Sequence, residues 1–326
     1  MLLLTSRDVQ KLLSLDECIG AVENAFRMYG EGKASAPGIL SMHVGEGGFH
    51  VKAGVLQLYR SYFAAKVNGN FPNNGIRLGL PTIQGVIVLC DAENGKPLAV
   101  MDSREITALR TGAATAVATK YLARRDSQVV TICGCGNQGR VQLKAVSRVC
   151  QIRTVFAHDK NEEQAGRFAR ELTADLKISV KVASDLASAV RQSDICVTCT
   201  PSRRPLIGRD AVQPGTFVAA VGADNPEKQE IHPNLMSNSK VVCDVLEQCA
   251  VMGDLHHAMA AGIMTRADAY AELSEIVAGK KPGRTSDDEI IVFDSTGMAL
   301  QDVATAAFLY EKAERGGSGV RVDLAA

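Results

Sequence analysis

Val129-Val130-Thr131-Ile132-Cys133-Gly134-Cys135-Gly136-Asn137-Gln138-Gly139 joins a short run of buried-strand character to a glycine-rich turn of the form G-x-G-x-x-G. A helix is expected from about Gln138, so the turn stands where a strand hands over to a helix N-terminus. In that setting each glycine has a task. Gly134 permits the tight turn, Gly136 lets the backbone approach a pyrophosphate, and Gly139 allows close packing of helix on strand. The N–H groups at the helix start, at Asn137 and Gln138, and the positive end of the helix dipole favour an anion at that point. Asp159, twenty residues past Gly139, ends the next expected strand. A carboxylate there can accept hydrogen bonds from both ribose hydroxyls, which favours NAD. Lys160 adjoins it, close enough to approach a 2′-phosphate, so NADP stays open. A flavin site, an S-adenosyl site or a purely structural turn is the alternative use of such a loop.

Downstream of the turn, strand and helix alternate. Strands are expected at 154–157, 179–182, 195–199, 217–221 and 241–243, with helical stretches between most of them, and a last strand at 290–293. This rhythm is that of a parallel, doubly wound sheet covered on both faces. Upstream the texture differs. Ser14-Leu15-Asp16-Glu17 is a capping-box pattern opening an amphipathic helix that Gly30 and Gly32 end. From Pro37 to Asp102 short β-like runs at 49–56, 62–67, 83–90 and 98–101 suggest a mostly antiparallel sheet. Asp102-Ser103-Arg104-Glu105 caps a long Ala/Thr-rich helix reaching about Ala123. The final helix, about Met298 to Glu314, is expected to pack back on the first domain. The fold class is therefore α/β: a Rossmann doubly wound sheet, residues 114–297, plus an α+β domain built from residues 1–113 and 298–326.

Composition limits the partners. Lys plus Arg and Asp plus Glu each number 36 in 326 residues, so no basic field exists to gather nucleic acid or acidic membrane, and a small molecule fits better. Nine cysteines, without the spacing of a disulfide framework, read as reduced thiols of a cytoplasmic protein. The start Met1-Leu2-Leu3-Leu4 is too short for a signal sequence, and no apolar run approaches membrane-spanning length.

Several polar residues in apolar surroundings need explaining. Arg110 falls among Ala108, Leu109, Gly112, Ala113 and Ala114, where a guanidinium requires an anion, either a substrate carboxylate held bidentately or an internal ion pair. Lys52 and Lys66 lie inside apolar strands, on an inward face beside a ligand or on a solvated one. Asp224, after the run from Phe217 to Gly222, sits at the carboxyl end of an expected parallel strand, where open α/β sheets place their crevice. It is the general acid/base candidate, against the alternative of an Asx-turn before Asn225-Pro226. Thr200, beyond the 195–199 strand, joins the cofactor-binding residues. Cys196 and Cys199 are spaced like a redox pair but lie within a strand, facing opposite ways, and read as buried thiols. Asp254, His256 and His257 imitate a metal site without a further ligand, so surface or domain-interface packing is expected and no metal.

These residues resemble the ornithine cyclodeaminase and mu-crystallin family over essentially the whole chain. The matching segments are Ala65-Lys66-Val67-Asn68, Leu80-Pro81-Thr82, Ala108-Leu109-Arg110-Thr111, the Gly134–Gly139 turn, Val221-Gly222-Ala223-Asp224 and Val292-Phe293-Asp294-Ser295-Thr296-Gly297. The resemblance implies a homodimer-forming substrate domain coupled to a Rossmann domain, and interconversion of amino acids and imines with a nicotinamide cofactor. It implies that Lys66 and Arg110 bind the substrate carboxylate, that Asp224 is the catalytic acid/base, and that Thr82, Thr111 and Ser295 help seat the cofactor. Lys66, touching the reacting substrate, would then be catalytic as well as substrate-binding.

Departures from the family bear on substrate. Its cyclodeaminases carry an Arg after the first helix and, near the position of His50, a Glu that holds the distal ammonium of ornithine. Here 37–43 has no Arg, and Phe49-His50-Val51-Lys52 offers a cation where that ammonium needs an anion. The expectation is thus an amino acid dehydrogenase or a ketimine or cyclic imine reductase acting on a small L-amino or imino acid. Ornithine cyclodeamination is the near alternative, and a non-catalytic NAD(P)-dependent binding protein the alternative of another class.

Overall fold

The computed structural model describes residues 1–35 and 37–324. Ala36, Ala325 and Ala326 lie outside them, the last two being the end of the expected C-terminal segment. The chain divides into two units, Met1–Arg110 with the segment from Met298, and Thr111–Gly297.

The second unit is built on an eight-stranded sheet in the order Ala271–Glu272, Lys240–Cys243, Ile291–Asp294, Phe217–Ala220, Ile195–Thr198, Val129–Cys133, Thr154–His158, Ser179–Val182. Every pairing in it is parallel. All four residues of Ile195–Thr198, of Phe217–Ala220 and of Ile291–Asp294 are buried, which is why these strands read as continuous apolar runs rather than alternating ones. Helix Glu162–Leu176 shows the complementary pattern: Ala165, Phe168, Ala169 and Leu172 form one apolar stripe. From Val129–Cys133 the chain winds to Thr154–His158 on one side and later to Ile195–Thr198 on the other. The carboxyl ends of these central strands therefore flank a topological switch point, where such sheets bind ligands. Two elements go beyond expectation: the edge strand Ala271–Glu272, and the two-stranded parallel ribbon of Arg203–Ile207 with Gln229–Ile231. Charge and proline in Arg203-Arg204-Pro205 mask the ribbon in the sequence.

The first unit holds a seven-stranded sheet. Gly38–Val44, Gly47–Gln57, Ser61–Asn70, Ile83–Asp91 and Pro97–Asp102 pair antiparallel in chain order, and Leu2–Leu4 and Val320–Arg321 extend the Pro97–Asp102 edge. The chain ends thus meet on neighbouring strands. Strand Gly38–Val44 lies ahead of the first expected β-like run: Leu40, Met42 and Val44 alternate with polar Ser41 and His43, and Gly45, at φ +56°, turns the chain into the next strand. Helix Leu15–Gly30 begins with the expected Ser14–Glu17 capping box. It packs against Ala299–Gly316, which also lies on strands Gly47–Gln57 and Ser61–Asn70. A Cβ at Gly54 would come within 2.9 Å of Leu300 Cδ2, so this last helix lies close over the strand at that glycine.

The two faces of this sheet differ. Tyr62, Ala64 and Lys66 are buried, while Phe63, Ala65 and Val67 alternate with them on the other face. There Leu40, Met42, Val44, Phe49, Val67 and Val86 are between 36% and 56% exposed. The ladder pairs Leu40 with Val51, Val51 with Val67, and Val67 with Val86, so the apolar side chains form a contiguous patch. Helix Ser103–Leu122 links the two units in sequence. Asp102 Oδ1 caps it, accepting from the Arg104 and Glu105 amides at 3.0 and 3.4 Å.

Candidate functional site

The glycines of the turn in the second unit have three different surroundings. Gly134 adopts φ +103°, and a Cβ there would lie 2.9 Å from the Cys199 carbonyl oxygen. A Cβ at Gly139 would lie 2.1 Å from the Gly134 oxygen, so the helix packs on the strand only without a side chain. Gly136 is the N-cap of helix Asn137–Val149, and no atom comes within 4 Å of a Cβ placed on it. Two glycines are thus required by the protein, whereas Gly136 faces open space at a helix N-terminus, as close approach of a pyrophosphate demands. Asn137 and Gln138 are the first residues of that helix.

Asp159 follows strand Thr154–His158 and is fixed beside the turn. Its Oδ2 accepts from the Cys135 amide at 2.8 Å and Gln164 Nε2 at 2.9 Å, and its Oδ1 from the Asn161 amide at 2.9 Å. Two oxygens with three acceptances leave lone-pair capacity for a ribose hydroxyl. A cavity of about 300 Å³ is lined by Gly134, Gly136, Asp159, Lys160, Thr200 and Leu206 among others. Its residues fit an adenosine dinucleotide: an open glycine at a helix start, and a positioned carboxylate beyond the next strand.

The other cofactor candidates are dispersed. Thr200 lines the cavity, with its amide and hydroxyl both donating to Glu230. Ser295 is buried, its hydroxyl donating to Asp244 at 3.3 Å. Thr111 is half-buried on helix Ser103–Leu122. Thr82 belongs to the first unit, in an exposed loop where its carbonyl accepts from the Phe71 amide at 2.9 Å.

In the first unit Lys66 and Arg110 converge on one carboxylate. Lys66 Nζ donates to Asp302 Oδ2 at 2.7 Å, Arg110 Nε to Asp302 Oδ1 at 3.1 Å, and Arg110 Nη1 to Gln301 Oε1 at 2.9 Å. All four side chains are buried. Arg110 therefore has the internal partner that its setting demanded, but a single carboxylate is shared by two cations. Lys52 stands directly across the ladder from Lys66, on the same inward face, and adds to the positive potential felt by Lys66 and Asp302. The solvated-face alternative for Lys66 is thereby removed. Burial, then the neighbouring Arg110 and Lys52, push Lys66 down to about 7 against the opposing pull of Asp302. Burial works against the charge on Asp302, yet Arg110 and Lys66 hold its carboxyl below the usual range.

Asp224 lies four residues beyond strand Phe217–Ala220 and is exposed. It makes an ion pair with Lys228 at 2.6 Å, and its amide donates to the Gly222 oxygen at 3.1 Å. The Asx-turn here is made by Asn225, whose Oδ1 accepts from the Glu227 and Lys228 amides, leaving the Asp224 carboxylate outside it.

Asp302 and Glu230 are the polar residues that the sequence reading passed over. Asp302 carried the signal that singled out Arg110, a charge amid small and apolar neighbours from Met298 to Leu309. Glu230 follows Lys228 and Gln229, and nothing in that polar context marks it as buried. Asp254, expected at a surface or a domain interface, is fully buried, its Oδ1 accepting from the Glu230 and Ile231 amides at 2.9 and 2.8 Å. His256 and His257 stack edge to face, and no metal-binding group is formed among the described residues. Cys196 is buried in its strand, while Cys199, partly exposed, donates to the Gly134 oxygen at 3.3 Å.

A doubly wound parallel sheet, with a glycine turn at its switch point and an acid beyond the following strand, defines the dinucleotide-binding class. The ornithine cyclodeaminase/mu-crystallin family model matches residues 1–317, and the chain belongs to that family. It is 41% identical to the alanine dehydrogenase of Archaeoglobus fulgidus over 96% of this chain and 95% of that one. It is 32% identical to the iminosuccinate reductase of Paracoccus denitrificans over 99% and 100%. Among solved structures, an archaeal alanine dehydrogenase dimer with bound NAD superposes with a TM-score of 0.95 at 40% identity, covering 99% of each chain. The Δ1-pyrroline-2-carboxylate reductase of Thermococcus litoralis, in complex with NADH and L-proline, superposes at 0.94 with 37% identity, covering 99% and 100%.

Proposed function

We propose that this chain is an NAD-dependent oxidoreductase that interconverts a small L-amino acid and its imine at the α-carbon. The observation that carries the reading is the buried cluster in which Lys66 and Arg110 share the single carboxylate of Asp302. A substrate carboxylate completes the charge balance of that cluster, and a bidentate guanidinium contact fixes its orientation. The relatives named as alanine dehydrogenase, iminosuccinate reductase and pyrroline-2-carboxylate reductase share that chemistry. NAD, when bound, supplies the hydride acceptor in the oxidative direction and, reduced, the donor in the other. Gly134, Gly136, Asn137, Gln138, Gly139 and Asp159 hold it, with Thr200, Thr82, Thr111 and Ser295 seating it further. The Asp159 carboxylate favours ribose hydroxyls over a 2′-phosphate, hence NAD over NADP.

Lys66 and Arg110 anchor the carboxylate, Lys52 adds positive potential beside them, and Asp224 holds or releases the proton at the substrate nitrogen or at an attacking water. Lys52 shares the inward face with Lys66, so a second substrate ammonium beside it is repelled. This disfavours ornithine. Residues 1–113 and 298–326 are assigned the substrate and dimerisation role and 114–297 the cofactor role. The contiguous apolar face of the first sheet supports a homodimer formed sheet against sheet. All nine thiols are free, in keeping with a reducing cytoplasm, and no helix among the described residues is long and apolar enough to cross a membrane.

The test is a substrate panel: NADH with pyruvate plus ammonia, iminosuccinate and cyclic imines, and NAD with the matching amino acids and ornithine. Turnover seen as a net change in reduced nicotinamide supports the reading. Proline and ammonia from ornithine without net NADH change would assign a cyclodeaminase. Cofactor binding with no turnover on any member would assign a binding protein.

A further inference from the structure

We infer that Glu230 is a positioning residue that locks the cofactor-side loop at Thr200 to the loop carrying Asp224. The inference rests on the roles proposed above for Thr200 and Asp224. Glu230 is completely buried in the second unit. No ion pair with a cation is found for it among the described residues, and its carboxylate is satisfied by four donors from two loops. Oε1 accepts from the Thr200 amide at 2.6 Å and the Thr200 hydroxyl at 2.7 Å, and Oε2 from the Thr198 hydroxyl and the Gly222 amide, both at 2.7 Å. Thr198 and Thr200 belong to the end of strand Ile195–Thr198 and the loop after it. Gly222 lies in the loop after the neighbouring strand Phe217–Ala220, and its carbonyl in turn accepts from the Asp224 amide. One carboxylate thus spans the two adjacent strand ends and stands a single hydrogen bond from the Asp224 backbone.

The surroundings are shaped to this bridge. A Cβ at Gly222 would lie 2.6 Å from the Glu230 carboxyl carbon and 2.4 Å from the Thr200 carbonyl oxygen, so only glycine admits the contact. From behind, Asp254 Oδ1 takes the amides of Glu230 and Ile231. The Gln229 amide donates to the Ser202 oxygen at 2.9 Å, and Arg203–Ile207 pairs with Gln229–Ile231, so the segment bearing Glu230 is strapped to the Thr200 loop. A buried carboxyl group whose oxygens accept from two backbone amides and two hydroxyls rigidifies what it touches.

Glu230→Gln keeps the shape but presents one acceptor and one donor where two backbone amides need acceptors. Thr200 brings two donors to Oε1, so the amide oxygen stays with Thr200 and the Gly222 arm is released. The expected result is an NADH Kd, read by fluorescence, within roughly threefold of wild type. The turnover number is expected to fall about a hundredfold, the scale of a small misplacement of a catalytic group. Hydrogen–deuterium exchange should accelerate in a peptide covering 219–226 and remain slow in 129–139. Gly222→Ala, which acts on the same bridge from the other side, should reproduce the split, and the double variant should be no worse than the poorer single one. A Glu230→Gln protein with wild-type turnover and unchanged exchange at 219–226 would overturn the inference, as would equal losses in NADH affinity, turnover and exchange protection throughout the chain. Asp224→Asn measured alongside separates the readings. If it keeps turnover, the assignment of Asp224 falls and the inference with it. If it loses turnover while Glu230→Gln does not, the inference alone falls.

Discussion

At the scale of single residues, the proposed chemistry depends on Lys66 and Arg110, two buried cations that share the carboxylate of Asp302. Lys66 sits near 7, so its charge is present below that pH and is lost as pH rises through it. Affinity for a carboxylate substrate should therefore weaken above about pH 7, by up to about tenfold per pH unit, until the raised pKa of the complex is passed. The measurement is KM against pH for wild type and for Lys66→Arg, which keeps its charge throughout. The arginine variant should lack that limb, and an unchanged limb would assign it to another group. Removing Asp302 leaves two buried cations without their shared anion, so Asp302→Ala is expected to cost about 3–5 kcal/mol in urea unfolding. Near-neutral stability would show that solvent reaches the pair. Asp224→Ala should abolish turnover and spare cofactor affinity, since the side chain is exposed and its local turn is made by Asn225.

At the scale of elements, the glycine turn separates fold from ligand. Gly139→Ala drives a methyl into the Gly134 carbonyl and should lower both stability, by about 1–3 kcal/mol, and NADH affinity. Gly136→Ala meets no protein atom, so it should fold with a near-native melting temperature and still lose NADH affinity. Equal behaviour of the two variants would place the pyrophosphate elsewhere. The turn was also the most legible element, because strand, glycines, helix and Asp159 are local in sequence. Strands buried on both faces were legible for the same reason, as unbroken apolar runs such as Ile195–Thr198. The ribbon of Arg203–Ile207 with Gln229–Ile231 was not, since its pairing brings together segments more than twenty residues apart and its polar sequence lacks a period. The carboxylate of Glu230 was missed because its polar neighbours give no sign of burial, and the pairing of Asp302, itself a charge amid apolar residues, because Lys66 and Arg110 are far away along the chain. Sequence patterning reveals which face is apolar, and it does not reveal which polar groups will meet.

At the scale of the whole molecule, the two sheets solve burial differently. The parallel sheet has Ile195–Thr198 and Phe217–Ala220 buried on every residue, whereas the mostly antiparallel sheet keeps an apolar face exposed at Leu40, Met42, Phe49, Val67 and Val86. The proposed homodimer would bury that face sheet against sheet, so Val67→Glu combined with Met42→Glu should yield a monomer by light scattering. A double variant that stays dimeric would move the interface elsewhere. The family and its relatives support hydride exchange at the carbon bearing the amino group, and the buried cations are proposed to hold the substrate for it. The most direct test is NADH absorbance while the purified protein is offered ketimine and cyclic imine substrates, with the amino acid product identified. Stoichiometric loss of NADH with formation of an L-amino acid is the expected result. Tight NADH binding with constant absorbance across imines, and with NAD across the matching amino acids, would contradict it.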